Sequence, residues 1–439
     1  MPSVLIAGGG LVGSANACLF AQKGWNVRVL ESREDPRGKL LEPGKSINLA
    51  LGFRAMETLE RIGVKEAVIA VGVPVTKRRL YREGGGGEVE KLPVIRDGDF
   101  VLTVSRKKLG DLLISEAEKF PTVKFNFGWK TVGFNLNTQQ LISSSPSGEE
   151  VSLDADLILA CDGAHSSIRR SLLKVPRFNF EQKFIGFGYM DLSLSAVQSD
   201  LELGVHNTWM RAGFIIVALV NRDFSLTVSV FGKFEDFERN LSDSEGRIEF
   251  FKQNFPELLA ILGEKHISSS FSRNKPQAII SVRCSQHSFF DKLVLMGDAA
   301  HAMVPFSGQG VNCGLEDCLV LQEMLEEHGN LREAARKYSK KRTEDANAMN
   351  EMAWKGNMAL ENMVYNRKSG YIGMVQNCFK AYIHRFLDSP HLLTTFSRMP
   401  YSQISELLDQ QQKTVDNLFI TVLVVFIMQA FLVFVYFLF

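Results

Sequence analysis

Apolar and polar positions change their period several times along the chain, and each change marks an element. Val4 to Ala7 is a short apolar run that predicts a buried strand. It begins almost at Met1, so no leader segment is expected. The stretch SVLIAGGGLVGSANACLFAQKGWNVRVLES (3–32) then reads as strand, tight turn, helix, strand. Two later apolar runs, DADLILACDG (154–163) and KLVLMGD (292–298), each predict a buried strand and each stop abruptly at an aspartate, Asp162 and Asp298. Between 181 and 280, IGFGYMDLSLS, FIIVALVN and FSLTVSVFG are rich in β-branched and aromatic residues and predict strands of a second sheet. FEDFERNLSDSEGRIEFFKQNF (234–255) predicts one helix beside them, and 343–412 is mostly helical. EGGGGEVE (83–90) is a hairpin loop and no phosphate cradle, since no helix follows it.

The last segment differs from the rest. LFITVLVVFIMQAFLVFVYFLF (418–439) carries no charge and is apolar on every face, with Thr421 and Gln429 its only clearly polar members. At about 1.5 Å per residue it can span a hydrocarbon core of about 30 Å, which predicts a C-terminal transmembrane anchor. The flank LDQQQKTVD is too poor in charge to set an orientation.

The pattern gives an α/β fold. A doubly wound, Rossmann-like dinucleotide-binding domain (1–70, 101–180 and 281–340) holds an inserted mixed β-sheet substrate domain (71–100 and 181–280). A helical cap (341–414) and an anchor (415–439) follow. The length of 439 residues is ample for two or three cores. A net charge of +1 gives no reason to expect nucleic acid as a partner. Six scattered cysteines form neither a CxxC pair nor zinc spacing, so they read as reduced, buried thiols, and no metal site is expected.

The chemistry starts at Gly8, Gly10 and Gly13, a GxGxxG between strand and helix. Gly8 permits the turn, Gly10 leaves the backbone open to a pyrophosphate, and Gly13 lets helix and strand approach. The helix start offers free N–H groups and a positive dipole end to phosphate. Glu31, closing the next strand, stands where an acid accepts hydrogen bonds from ribose hydroxyls. Asp162 ends its strand where doubly wound sheets bind ligands, or else caps the helix that follows. Asp298 is expected to be buried and to need donors, which ribityl hydroxyls would supply. A helix starting near Gly310-Val311-Asn312 would aim its N–H groups at the pyrimidine edge of a flavin and stabilise negative charge there. His301, alone in the loop beside it, is read as structural.

Three segments together, GGGLVG (8–13), CDGAHSSIR (161–169) and GDAAHAMVPFSGQGVN (297–312), resemble the single-component flavoprotein aromatic hydroxylases. KSINLALGFRAMETLERIGV (45–64), LTVSRKKLGDLL (102–113), PRFNFEQKFIGFGYMDL (176–192) and LEDC (315–318) resemble the kynurenine-hydroxylating branch. The resemblance implies FAD, NADPH as a transient co-substrate, O2, and hydroxylation of L-kynurenine beside its ring amine. It implies flavin-borne chemistry with no obligatory protein base. It also implies a body facing the cytosol from the mitochondrial outer membrane.

By the same resemblance Gly8, Gly10, Val12, Gly13, Glu31, Arg33, Ala50, Arg106, Asp162, Asp298, Pro305, Gly308, Gly310, Val311 and Asn312 bind FAD. Arg78 grips the substrate carboxylate, with Arg79 as the alternative, and Asn357 and His391 complete the substrate contacts. The chain departs from the family at three points: Leu92-Pro93-Val94-Ile95 and His391 stand where the family has tyrosines, and AWKGNMALEN (353–362), with Asn357 as the stand-in, replaces the stretch whose asparagine contacts substrate. Another aromatic or lipid substrate, or a non-catalytic FAD-binding membrane protein, are the competing readings.

Overall fold

The computed structural model describes the chain except residues 39–47, 82–86, 88, 93, 196–200, 365–388 and 439. Its organising element is a six-stranded sheet in the order Ser288–Phe289, Leu293–Leu295, Leu157–Ala160, Ser3–Ala7, Asn26–Glu31, Val123–Phe127. All pairs are parallel except the antiparallel edge strand Ser288–Phe289. The chain starts in the middle, at Ser3–Ala7, moves to Asn26–Glu31 on one side and later places Leu157–Ala160 on the other. The strand order therefore reverses at Ser3–Ala7, and a crevice opens at the carboxyl ends of that strand and Leu157–Ala160.

Helices Leu11–Gln22, Phe53–Ile62, Arg106–Ala117 and Gln309–His328 form one core with this sheet. A small antiparallel sheet (Asn48–Leu51, Val101–Ser105, Val73–Val75) and an antiparallel meander (Lys130–Asn135, Gln140–Ser144, Glu150–Leu153) flank it.

The second large sheet has seven strands, in the order Gln277–Cys284, Phe180–Asp191, Leu226–Lys233, Phe214–Val220, Val205–Arg211, Lys77–Tyr81, Val89–Lys91. It is mixed, because Lys77–Tyr81 runs parallel to Val205–Arg211 while the other neighbours are antiparallel. The period of two gives it two faces. Trp209, Phe214 and Val228 pack on the helices spanning 234–273, with Trp209 stacked on Tyr81 at 4.3 Å. His206, Thr208, Met210 and Val217 face the other way, onto a cavity shared with the first sheet.

Several elements run differently from the sequence reading. The single helix expected over 234–255 is two, Phe234–Leu241 and Ser244–Asn254, because the Asp243 side chain accepts from the Gly246 N–H at 2.6 Å and starts a new helix. Strand Gln277–Cys284 belongs to the seven-stranded sheet and crosses the boundary expected at 281. Helix Leu331–Val364 runs through the boundary expected at 341. Likewise Tyr401–Leu438 is one helix through the boundary expected at 415. Its first turns bury Tyr401 and Ile404, and Val415 and Phe419 are also covered, whereas Ile420 to Val425 are exposed. The stretch of this helix from Ile420 to Leu438 spans about 28 Å at the helical rise. Among the described residues this is the one helix long and apolar enough to cross a membrane.

Candidate active site

The cavity between the two sheets has a volume of about 1150 Å³. That exceeds the roughly 300–1,000 Å³ of an ordinary single-ligand pocket. One end is the crevice of the parallel sheet. Gly8 sits there at φ +102°, and a Cβ on it would come within 2.3 Å of the Cys161 carbonyl oxygen. Only glycine lets the two strand ends come this close. A Cβ on Gly10 would meet nothing within 4 Å, so its backbone is open to the cavity. Gly13 lies off the cavity wall; its Cβ would sit 1.9 Å from the Gly8 carbonyl, so its role is the close packing of helix on turn.

Glu31 is buried at the end of its strand. It accepts from the Gly9 N–H at 2.9 Å and from the Arg33 N–H and Nε at 2.9 and 2.8 Å. Burial alone would raise its pKa, but the hydrogen bonds and charge of Arg33 outweigh it and hold the carboxyl below its usual range. A fixed carboxylate beside the turn is what a ribose diol requires.

Asp162 caps the helix that follows and also lines the cavity. Its Oδ2 accepts from the Ser167 and Ile168 N–H groups at 2.8 and 3.2 Å and caps that short helix. Its Oδ1 is buried without a partner on the cavity wall. Burial raises the pKa of this carboxyl against the opposing pull of the Ser166 hydroxyl and the Ile168 and Ser167 N–H groups. A buried orphan acceptor is costly until a ligand donor satisfies it.

Asp298 also lines the cavity and makes no side-chain hydrogen bond among the described residues. It is half-buried, not fully buried as expected, because its loop opens onto the cavity. Val12, Arg33, Ala50, Arg106, Pro305 and Gly308 are on the same wall, as are Gly310 and Val311. Helix Gln309–His328 starts there, behind Gly308 at φ +66°. The Asn312 side chain lies off the cavity wall. It donates to the Ala50 and Gly308 carbonyls at 2.9 and 2.8 Å and accepts from the Gly52 N–H at 2.7 Å, so its side chain shapes the loop. These features together fit a flavin dinucleotide: an open glycine backbone, a fixed acid, and two carboxylates with oxygens left for ligand donors.

The other end of the cavity is floored by the seven-stranded sheet. Arg78 lines it and donates to Glu90 at 3.0 Å, while Arg79 donates to Glu202 at 2.9 Å. His391, on helix Pro390–Phe396, lines it too. Partial desolvation by the surrounding sheet and helix and the nearby Arg78 charge push its pKa down, although the side chain keeps an exposed edge. The side chain of Asn357, on helix Leu331–Val364, lies outside the described residues.

Sequence reasoning missed two groups. One is His206, whose strand has the alternation that sends it into the cavity. The other is a buried charge network behind the Asp298 loop. His301 Nε2 lies 2.6 Å from Asp317 Oδ2, and Arg342 donates to Asp317 Oδ1 at 2.7 Å and Glu316 Oε2 at 3.0 Å. Arg54 donates to Glu316 Oε1 at 2.5 Å and lies 3.8 Å from the centre of the Tyr401 ring. His301 therefore holds the loop and does not face the cavity. His301, Cys313 and Asp317 lie close enough to hold a metal, but Arg342 occupies the Asp317 carboxylate and donates to the Cys313 sulfur at 3.0 Å.

The comparisons with known proteins agree with this geometry. Residues 1–353 match the model of the FAD binding domain family. Kynurenine 3-monooxygenase of Caenorhabditis elegans is 42% identical over 96% of this chain and 95% of its own length. That of Sus scrofa is 35% identical over 94% and 88%. Among solved structures, 2-methyl-3-hydroxypyridine-5-carboxylic acid oxygenase in its tetrameric form superposes with a TM-score of 0.68 at 20% identity, covering 82% of this chain and 92% of that one. Pseudomonas aeruginosa PqsL in complex with 2-aminobenzoylacetate gives 0.66 at 18% identity, covering 82% and 97%. At such identities the structural likeness concerns the fold.

Proposed function

Since the chain belongs to the FAD-dependent kynurenine 3-monooxygenase family, we propose that it hydroxylates L-kynurenine at the ring carbon beside the amine. The balance is L-kynurenine, NADPH, a proton and O2 to 3-hydroxykynurenine, NADP+ and water. The observation that carries this reading is the single cavity with a dinucleotide cradle at one end and an arginine-bearing sheet floor at the other.

When bound, FAD supplies the electron transfer from NADPH and the activation of O2. The residues of the chain do the rest. The open backbone at Gly10, held by the tight turn at Gly8, takes the pyrophosphate, Glu31 the ribose, and Asp298 the ribityl hydroxyls, with Asp162 Oδ1 as a further acceptor. The N–H groups at Gly310 and Val311 favour negative charge on the pyrimidine edge. Arg78 takes the substrate carboxylate, a task suited to a guanidinium fork, and His391 and Asn357 adjoin that end. Leu80, Met210, Ile215, Val217, Phe231 and Phe306 wall the space between with apolar side chains. Such a wall excludes the water that would divert activated oxygen. The substrate's own amine enriches its ring, so no protein base is required.

The exposed apolar helix beyond Phe419 supports a membrane anchor with the catalytic body outside the bilayer. We assign the body to the cytosolic face, and the membrane to the mitochondrial outer membrane, on family resemblance. A flavin-containing preparation that oxidises NADPH faster with L-kynurenine, and yields 3-hydroxykynurenine, tests the whole reading.

A further inference from the structure

Arg78 and His206 are register partners on parallel strands, so their side chains stand next to each other on the cavity face of the sheet. His391 faces the same space from helix Pro390–Phe396. Each imidazole is tied at Nδ1 to a threonine hydroxyl: Thr208 Oγ1 lies 2.9 Å from His206 Nδ1, and Thr395 Oγ1 lies 3.4 Å from His391 Nδ1. No described protein group bonds the Nε2 of either ring. Two oriented imidazoles therefore present unpartnered nitrogens beside a guanidinium in one cavity.

We propose that His206 and His391 form, with Arg78, a proton-linked anion site in which a substrate carboxylate is bound together with a proton. This deepens the kynurenine reading and rests on it for the identity of the natural ligand. The charged groups facing the pair, among the described residues, are Arg78 on strand Lys77–Tyr81 and its partner Glu90 on strand Val89–Lys91, whereas the Arg79 side chain lies on the opposite face with Tyr81. Strand Phe214–Val220 carries none. In the free protein, burial, the His391 ring and Arg78 hold His206 down to about 4, and partial desolvation and Arg78 hold the more exposed His391 down as well.

A carboxylate placed among these groups offsets the repulsion from Arg78 and gives each Nε2–H an acceptor. Both effects favour the imidazolium. A group whose pKa rises on binding takes up a proton from solvent, which is held at the ring nitrogens. Reciprocally, the anion binds more tightly as pH falls through the bound-state pKa toward the free one, with up to a tenfold gain per pH unit per proton taken up.

The test uses the full-length, FAD-loaded protein in detergent, without NADPH. Benzoate, benzamide and L-kynurenine are titrated from pH 6 to 8.5, with the flavin spectrum as readout. Calorimetry in buffers of different ionisation enthalpy counts the protons taken up. The expected result is severalfold tighter benzoate and L-kynurenine binding at pH 6 than at pH 8, with proton uptake, and no pH dependence for benzamide. His206→Asn and His391→Asn should each flatten the dependence and reduce the uptake while flavin content stays stoichiometric. Benzoate binding that is independent of pH and takes up no proton overturns the proposal, as does a slope that survives in the double variant. If benzoate behaves as expected but L-kynurenine does not bind, the anion site stands and the substrate assignment falls.

Discussion

Arg342 donates to Asp317 at 2.7 Å where neither side chain is reached by water, and the other Asp317 oxygen accepts from the Gly297 N–H at 2.8 Å, one residue before Asp298. The flavin loop is therefore anchored to helices Gln309–His328 and Leu331–Val364 by buried charge. Removing Arg342 leaves Asp317 and Glu316 uncompensated. Arg342→Met should destabilise the protein by about 3–5 kcal/mol, and adding Asp317→Asn should restore part of that loss. Denaturant unfolding with flavin release as a second probe measures both. A single variant as stable as the parent would refute the role given to the network.

The same network gives stability a pH dependence. Burial pulls the His301 pKa down, but the Asp317 carboxylate and the Cys313 sulfur outweigh it and hold the imidazole well above its ordinary value. The stabilisation is thus complete below the unfolded value of about 6.5 and declines as pH rises toward the folded one. Unfolding measured from pH 6 to 9 should show the parent losing stability relative to His301→Gln. Parallel curves would mean that His301 is not a buried cation.

Asp298→Ala should lose FAD. Hydrogen bonds to a charged group are worth about 1.5–3 kcal/mol each, so the loss of even one weakens retention by roughly ten- to a hundredfold. The ratio of flavin to protein absorbance after desalting measures this, and an unchanged ratio would remove Asp298 from the cofactor site. Gly8→Ala should be worse, since its Cβ meets the Cys161 carbonyl and its φ is +102°. It should yield little folded protein.

Arg78→Ala should raise the KM for L-kynurenine by roughly ten- to a hundredfold with a smaller change in kcat, because a charged hydrogen bond to the substrate is lost in both ground and transition states. Arg79→Ala serves as the contrast. Equal effects would mean that the two arginines share the carboxylate.

Deleting residues 420–439 should give a soluble, flavin-containing, active body. The cut belongs after Phe419 and not at 415, because Val415 and Phe419 are covered by protein. A cut before Tyr401 should fail, since Tyr401 is fully buried, donates to Gln309 Oε1 at 3.1 Å and packs on Arg54. Sedimentation from membrane-free lysate and flavin content separate the two truncations.

What could be read from the chain beforehand follows physical range. The Gly8–Gly13 turn, Glu31 and the Gly297–Gly310 loop each show a compact pattern of residue types at fixed spacing, and the sequence displays that pattern directly, although the contacts that demand Gly8 and Gly297 come from Cys161 and Val12, far along the chain. The strands were legible from β-branched runs, and the apolar end helix from the lack of any polar face. Arg54 with Glu316 was not, because 262 residues separate the partners and nothing local marks either one. His206 was hidden for a related reason. Its alternation was visible, but which face of the sheet meets the cavity depends on helices that begin only at Phe234, well beyond the strand. The uninterrupted helix Tyr401–Leu438 hid its own division, since burial of Tyr401 and exposure of Ile420 are decided by the body it packs on and not by propensity.

The most direct measurement is NADPH consumption by the purified, FAD-loaded protein with and without L-kynurenine, with the product identified by mass spectrometry. The account requires a substrate-stimulated rate and a product one oxygen heavier that matches 3-hydroxykynurenine. Stoichiometric flavin with no response to L-kynurenine would contradict it.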